Sequence, residues 1–186
     1  MPDGADGGGF RRLSETTRFE GALISVASVQ LEGPGGDRFE REVVHHPGAV
    51  VVVPVTGDGR AVMVRQYRAA VHGELLEVPA GKRDVDGEPT EETARRELAE
   101  EVGLSAGRLD LLARFYNSPG FTDEFTWLYL ARDLGQVPHD RQGFEEMAMA
   151  VEEVDLAAVP ALIASGAIRD AKSIIGLCLA AEHIRR

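Results

Sequence analysis

Residues 81–104 read GKRDVDGEPTEETARRELAEEVGL, which is the most informative stretch of the chain for predicting its fold. Pro89 suits the first turn of a helix, and the residues that follow it are rich in Glu, Ala, Arg and Leu. Gly103 stands where such a helix would end, because glycine readily adopts the left-handed backbone of a helix terminus. The pattern therefore predicts a helix over residues 90–102.

This helix would carry a cluster of carboxylates. Glu97 and Glu101 stand four residues apart and share one face, with Glu100 at its edge. Like charges at this spacing repel each other, so the cluster is either an ordinary solvated face or a site for a hard divalent cation, which prefers oxygen ligands. The helix alone leaves both interpretations open.

Segments on either side of the helix have the alternating or Val-rich pattern of β-strands. The predicted strands are residues 21–31, 37–45, 49–55, 61–64, 74–78, 109–116, 125–130 and 147–151. Two further helices are expected near the C-terminus, one from about residue 156 behind Asp155 and one from about residue 171 behind Asp170. The predicted order along the chain is strands, one helix, further strands and two helices.

Composition limits the classes of function. The chain has 186 residues, of which 44% are hydrophobic, which suits one soluble domain. A formal net charge of −11 argues against a nucleic-acid partner or an anionic membrane bound by a broad basic surface. The longest apolar run, residues 49–55, is far shorter than the ~18 residues that cross a bilayer. We expect a cytoplasmic protein, since residues 1–9 lack a signal-peptide pattern. Because Cys178 stands among apolar residues, we expect its thiol to be buried.

The stretch quoted above resembles the Nudix box, which is Gly, five residues, Glu, seven residues, Arg-Glu, an apolar residue, any residue, Glu-Glu, any residue, Gly and an apolar residue. This chain matches it from Glu88 to Leu104, with one extra residue between Gly81 and Glu88. The resemblance implies a Nudix α/β/α sandwich with a small N-terminal antiparallel β-sheet extension. The expected division is a disordered tail over 1–15, the extension over 16–46 and the hydrolase domain over 47–186.

The resemblance also implies roles for the acidic helix. Glu97 and Glu101 become the principal Mg²⁺ ligands and Glu100 an accessory one, with the backbone carbonyl of Ala80 completing the set and Mn²⁺ as a substitute cation. Arg96 would orient a glutamate carboxylate by a charge-assisted hydrogen bond. The implied chemistry is attack of a metal-activated water on a diphosphate.

Features outside the box resemble the ADP-ribose pyrophosphatase branch of the family. The sequence Arg65-Gln66-Tyr67-Arg68 is followed by residues 74–81, ELLEVPAG, which lead into the box. In that branch the second Arg, here Arg68, contacts the substrate phosphates. A Pro shortly after the box, here Pro119, resembles the marker of the branch.

Three less specific features complete the resemblance. A Glu at the end of a loop helps to activate the attacking water in this branch, and by spacing Glu146 is favoured over Glu145. Arg41 is a candidate phosphate or ribose contact. Relatives exchange the N-terminal sheet between two subunits, which implies a homodimer, and with Trp127 outside that sheet either Phe19 or Phe39 would stack on adenine.

The leading hypothesis is a Mg²⁺-dependent hydrolase that splits ADP-ribose into AMP and ribose 5-phosphate. The nearest alternative keeps the chemistry and changes the substrate to another nucleoside diphosphate sugar. An alternative from a different class is a Nudix-fold sensor that binds a nucleotide without hydrolysing it. The presence of all three box glutamates favours the enzyme over the sensor.

Overall fold

The computed structural model of the protein describes residues 7–138 and 147–185. These residues form ten β-strands and three α-helices. The strands are β1 Arg11–Glu20, β2 Ser25–Glu32, β3 Arg38–His45, β4 Ala49–Pro54, β5 Arg60–Arg68, β6 Gly73–Glu77, β7 Ala80–Lys82, β8 Leu104–Tyr116, β9 Phe125–Gln136 and β10 Ala150–Asp155. The helices are α1 Thr90–Val102, α2 Val159–Ala164 and α3 Ala171–Arg185. The α/β class predicted from the sequence is confirmed.

The chain divides into two compact units, of which the first comprises Met1–Gly48 and Tyr116–Phe125. Strands β1, β2 and β3 form an antiparallel sheet with β2 in the middle. The segment after β8 joins this unit through backbone hydrogen bonds, since Val44 donates to the carbonyl of Phe121 at 2.8 Å and Asp123 donates to the carbonyl of Val44 at 3.1 Å. The first unit therefore takes residues from two distant parts of the sequence.

Strand β1 corrects the expectation of a disordered tail over residues 1–15. The strand begins at Arg11, five residues before the predicted start of the folded extension. Every residue of β1 is exposed, so it lacks the buried alternate positions that reveal a strand in a sequence. The strand is held by its backbone pairing with β2, which the amino-acid pattern does not encode.

The second unit, Ala49–Phe115 and Thr126–Arg186, is built around the fully buried strand β4. This strand pairs with β9 in parallel and with β7 antiparallel, within a four-stranded sheet in the order β7, β4, β9, β8. A three-stranded sheet in the order β10, β5, β6 lies in the same unit. Because β4 is covered on both faces, it appears in the sequence as a continuous run of valines.

The two faces of β4 pack against different helices. Val50 and Val52 belong to the apolar cluster that contains Leu98 of α1. Val51 and Val53 belong to the cluster that contains Leu177 of α3. Successive strand residues point to opposite faces, so one strand joins both clusters. This arrangement has the layers that the predicted α/β/α sandwich requires.

Helix α1 has the predicted limits. It runs from Thr90 to Val102, and Gly103 ends it with a φ of 66°. The amide of Gly103 donates to the carbonyls of Leu98 and Ala99, which satisfies groups that a helix end would otherwise leave without partners. The helix therefore presents its carboxylates in a fixed register above the sheets.

Two expectations for the C-terminal part are wrong. Strand β10 runs from Ala150 to Asp155 rather than over residues 147–151. Its second half was missed because Glu152 and Glu153 interrupt the apolar pattern, although their backbone pairs with β5. Cys178 is exposed rather than buried, since Leu177 and Ala180 occupy the core-facing side of α3. Within the described ranges, no helix combines the length and the apolar character that a membrane span requires.

Candidate active site

Helix α1 buries two of its carboxylates. Glu97 is 8% exposed and Glu101 is 5% exposed, whereas Glu91 and Glu92 in the first turn are exposed to solvent. Acidic residues at a helix N-terminus interact favourably with its dipole, so Glu91 and Glu92 need no further explanation. Buried carboxylates are costly unless they are paired, which marks Glu97 and Glu101 as functional candidates.

Gly81 makes room for the carboxylate of Glu97. A Cβ atom at position 81 would lie 1.8 Å from Cδ of Glu97 and 1.9 Å from its Oε1. No side chain fits at these distances while Glu97 keeps its position, so the glycine of the motif allows a close approach of backbone and carboxylate. The loop before the helix and the middle of the helix are thus joined at one point.

The environment of Glu97 changes its acidity. Burial raises the pKa of Glu97 to about 7, and the neighbouring Arg96 opposes this rise without cancelling it. Glu100 and Asp84 add to the rise through charge repulsion. A bound cation would favour the ionised carboxylate, so the site is electrostatically suited to a positive ion.

Arg96 lies at the centre of the acidic residues. Its Nη1 donates to Oε1 of Glu97 at 2.8 Å and to Oε2 of Glu100 at 3.1 Å. Its Nε and Nη2 contact the two oxygens of Glu88 at 3.4 Å. Glu88 in turn accepts a hydrogen bond of 2.7 Å from the hydroxyl of Thr93. Arg96 therefore makes the hydrogen bond to a glutamate that was predicted for it, and Glu88 fixes the guanidinium.

Glu101 accepts a hydrogen bond from the backbone before the helix. The amide of Ala80 donates to Oε2 of Glu101 at 3.1 Å, which places the Ala80 backbone beside the second buried carboxylate. Over residues 7–138 and 147–185, no three acidic, His or Cys side chains are already gathered in the geometry of a metal centre. The carboxylates are instead restrained one by one, by Arg96 and by the backbone of β7.

A NUDIX domain profile matches residues 44–172, which is well over half of the chain. The chain belongs to the Nudix family. This Nudix protein is 40% identical over 163 residues to the ADP-ribose pyrophosphatase of Bacillus subtilis (strain 168), covering 88% of each chain. It is 38% identical over 168 residues to the ADP-ribose pyrophosphatase of Mycobacterium tuberculosis, covering 90% of this chain and 81% of that relative. The resemblance to this branch is confirmed.

A solved structure agrees with the fold. A crystal structure of an ADP compounds hydrolase superposes with a TM-score of 0.82 at 26% identity, covering 95% of this chain and 94% of the other. The similarity to that structure therefore includes most residues of both units.

Arg68 lies in the same unit as the Nudix box, at the end of β5. Its Nε donates to Oε1 of Glu77 at 2.8 Å and its Nη2 to Oε2 at 2.7 Å. Glu77 is 1% exposed and was not singled out from the sequence. The sequence did contain one indication of this ion pair, because Glu77 is a charged residue within the apolar run Leu75-Leu76-Glu77-Val78. A charged residue is rarely buried without a partner.

The other predicted substrate contacts belong to the first unit or lie outside the described residues. Arg41 on β3 stacks over the ring of Phe39, with 4.7 Å between its Cζ and the ring centroid. Pro119 lies in the segment Tyr116–Phe125 of that unit. Glu146, together with the alternative Glu145, lies outside the described residues.

Proposed function

We propose that this Nudix protein hydrolyses ADP-ribose to AMP and ribose 5-phosphate with the help of Mg²⁺. The observation that carries the proposal is the pair of buried carboxylates, Glu97 and Glu101, on one face of α1 within a Nudix box. The two ADP-ribose pyrophosphatases similar to this chain support the choice of substrate.

The chain supplies a donor set that suits a hard cation. Glu97, Glu100, Glu101 and the carbonyl of Ala80 would hold it, and all of them offer the oxygen atoms that Mg²⁺ and Mn²⁺ prefer. The pKa of Glu97, raised by burial to about 7, fits a carboxylate whose charge the protein compensates only in part. When bound, the cation neutralises diphosphate oxygens and lowers the pKa of the attacking water.

The remaining steps fall to protein side chains. Arg96 holds the carboxylates of Glu97 and Glu100 through the same guanidinium nitrogen and so orients them. Arg68 binds phosphate oxygens of the substrate. Glu146 accepts a proton from the attacking water. The water oxygen bonds to one phosphorus, and the bond between that phosphorus and the bridging oxygen breaks, so the bridging oxygen leaves with the other phosphate group. That leaving phosphate oxygen takes up a proton, so AMP and ribose 5-phosphate are the complete products.

The water-activating role of Glu146 has its own test. Glu146→Gln keeps the size of the side chain and removes the proton acceptor, so kcat should fall by about a hundredfold or more while KM changes little. A variant that changes only KM would contradict this role. The same substitution at Glu145 is the matched control, and we expect it to retain most of the activity.

A second substrate is supported by the structural comparison. The matching crystal structure is that of an ADP compounds hydrolase, a broader description than one compound. Another nucleoside diphosphate sugar would meet the same carboxylates and the same cation. The sensor alternative, a protein that binds ADP-ribose without turnover, would not need the full set of Glu97, Glu100 and Glu101.

The decisive experiment is a substrate panel. The protein with Mg²⁺ is incubated with ADP-ribose, GDP-mannose and a dinucleoside diphosphate, and the phosphate-containing products are followed by chromatography. Preferred turnover of ADP-ribose, with AMP and ribose 5-phosphate as products, is the expected result. Preferred turnover of another compound in the panel would mean that the proposed substrate is wrong and the proposed reaction is right. Binding of ADP-ribose without turnover would support the sensor alternative.

We also propose a homodimer formed through the N-terminal β-sheet extension, with Arg41 and Pro119 contributing to substrate binding in the assembled enzyme. Exposed apolar side chains on this unit support an interface, among them Phe10 and Phe19. Either Phe19 or Phe39 would stack on adenine. Light scattering of the purified protein tests the dimer, and a cytoplasmic location remains our expectation for the enzyme.

A further inference from the structure

Glu77 lies where an apolar residue would be expected. It ends strand β6, is 1% exposed and has both carboxylate oxygens bonded to Arg68. Replacing a buried ion pair by apolar residues is often neutral or stabilising, so a buried pair is weak evidence of a role in stability alone. The pair therefore calls for an explanation in terms of what Glu77 does to Arg68.

The guanidinium of Arg68 is only partly occupied. Nε and Nη2 donate to Glu77, but Nη1 makes no hydrogen bond to any residue that the structure describes, and the side chain is 39% exposed. A bidentate contact fixes the plane of a guanidinium. Glu77 thus holds one edge of Arg68 in the protein and leaves the donors of the other edge available to an anion.

The backbone next to Glu77 is anchored to the fold. The next residue, Val78, donates its amide to the hydroxyl oxygen of Ser173 at 2.9 Å, and this hydroxyl donates to Oδ2 of Asp170 at 2.7 Å. Ser173 is completely buried at the start of α3. The end of β6 is therefore fixed to the end of a helix, which gives Arg68 a rigid support.

Arg68 is also close to the Nudix box. The hydrogen bonds that Arg68 donates to Glu77 raise the pKa of Arg68, and the negative charges of Glu101 and Asp170 contribute to the same rise. Glu101 is one of the two buried carboxylates of α1. An anionic group held beside Glu101 by a cation would therefore be within electrostatic range of Arg68.

We infer that Glu77 is a positioning residue, which orients Arg68 so that its outer edge binds a phosphate group of the substrate. This inference rests on the proposed function for the identity of the substrate, but the anion-binding role of Arg68 can be tested with any diphosphate. Glu77 itself does not touch the substrate.

A neighbouring ion pair provides a matched control. Arg65 on the same strand makes a bidentate contact with Glu152, from Nε at 2.5 Å and from Nη2 at 3.1 Å. Both side chains of this pair are more than a third exposed, unlike Glu77. Glu152→Gln therefore removes an equivalent contact without disturbing a buried anchor.

The experiment compares Glu77→Gln with Glu152→Gln in KM and kcat for ADP-ribose, and in the affinity for inorganic pyrophosphate by calorimetry in the presence of Mg²⁺. The amide that replaces the carboxylate of Glu77 offers Arg68 one acceptor instead of two. We expect KM and the pyrophosphate dissociation constant to rise about ten- to a hundredfold, the range for losing a hydrogen bond to a charged group, with little change in kcat. Glu152→Gln should change neither.

A double variant separates positioning from stability. Arg68→Met leaves Glu77 buried without a partner and should lower the melting temperature, whereas Arg68→Met combined with Glu77→Leu should restore it. If Glu77 acts through Arg68, the double variant regains stability and has the same high KM as Arg68→Met alone. A low KM in the double variant, or equal effects of Glu77→Gln and Glu152→Gln, would overturn the inference.

Failure of the proposed function gives a different result. If the native protein does not turn over ADP-ribose, the substrate is wrong, and the pyrophosphate affinities of the same variants still decide the role of Glu77. Native protein that binds no pyrophosphate, or binds it as tightly as the Glu77→Gln variant, would overturn the inference itself.

Discussion

Arg96 on helix α1 and Arg11 on strand β1 each donate a short hydrogen bond to a glutamate, at 2.8 Å to Glu97 and 2.7 Å to Glu32. Their surroundings differ. The carboxylate of Glu97 is buried and its pKa is raised to about 7, whereas the side chain of Arg11 is 68% exposed. The comparison shows that similar contacts have different uses, because water weakens a charge pair on the surface and leaves it strong in the interior.

The largest expected effect lies at the buried end of this comparison. Glu101→Gln keeps the shape of the side chain but removes the charge of a proposed metal ligand. We expect Mg²⁺-dependent turnover of ADP-ribose to fall by more than about a hundredfold, beyond the range for losing a metal's outer partners, while the melting temperature without metal stays the same or rises. Glu92→Gln, on the exposed face of the same helix, is the control and should keep nearly full activity.

Gly81→Ala tests the geometry rather than the charge of the buried region. The new methyl group would overlap the carboxylate of Glu97, which is the flexible end of a side chain and moves away at little cost to the fold. If Glu97 is a metal ligand as proposed, a displacement of this size should lower activity by about a hundredfold. Gly57→Ala is the control, since a Cβ there meets open space, and similar kinetics for the two variants would refute the assignment.

The exposure of the His45 side chain, 25%, lies between those of Glu97 and Arg11. Its Nδ1 contacts Asp123 at 2.6 Å and its Nε2 contacts Glu15 at 3.1 Å, and the contact with Asp123 is the main reason that the pKa of His45 is raised above 6.5. The folded state therefore binds the proton more tightly. This stabilisation is complete below the unfolded pKa and is lost as pH rises through the folded value.

The corresponding variant is His45→Gln. Its melting temperature should lie further below that of the native protein at about pH 6 than at about pH 9, because only the protonated imidazole gains from both carboxylates. Thermal unfolding at the two pH values measures the difference. A deficit that is equal at both, or larger at the higher pH, would show that His45 does not act through its charge.

The smallest effect is expected at the exposed end. Arg11→Ala removes the contact with Glu32 and should change the free energy of unfolding by less than about 0.5 kcal/mol, because exposed ion pairs contribute little. Thermal unfolding should show a shift of no more than about 2 °C. A larger loss of stability would mean that the N-terminal sheet depends on its surface charges. The exposed ion pair of Arg11 would then no longer differ in strength from the buried contacts of Arg96.

Much of the candidate site and of the elements around it was predictable because the sequence signals are local. The limits of α1, the strand β4 and the hydrogen bond of Arg96 all follow from periodicity, turn residues or the spacing of the box. The strand β1 was not predictable to its start, since it buries no side chain and is specified by pairing with β2. Local sequence describes an element well only when the element has a buried face of its own.

The partners of the site residues show the same limit. Glu77 is nine residues from Arg68, and Ser173 is 95 residues from Val78, so no sequence spacing reveals these contacts. Cys178 stands among apolar residues and is nevertheless exposed, because a helix turns one neighbour inward and the next outward. The identity of the residues was informative, but their pairing required the tertiary structure.

The contact between Gly81 and Glu97 also has an evolutionary consequence. The backbone of Gly81 does not adopt a left-handed conformation, so its φ angle does not require glycine. A side chain at this position is instead opposed by the carboxylate of Glu97, sixteen positions away. The two positions should therefore vary together: a descendant that shortened residue 97 would free position 81 to accept a side chain. Among Nudix proteins that lost hydrolysis, we expect the glycine to drift only after the glutamate has gone.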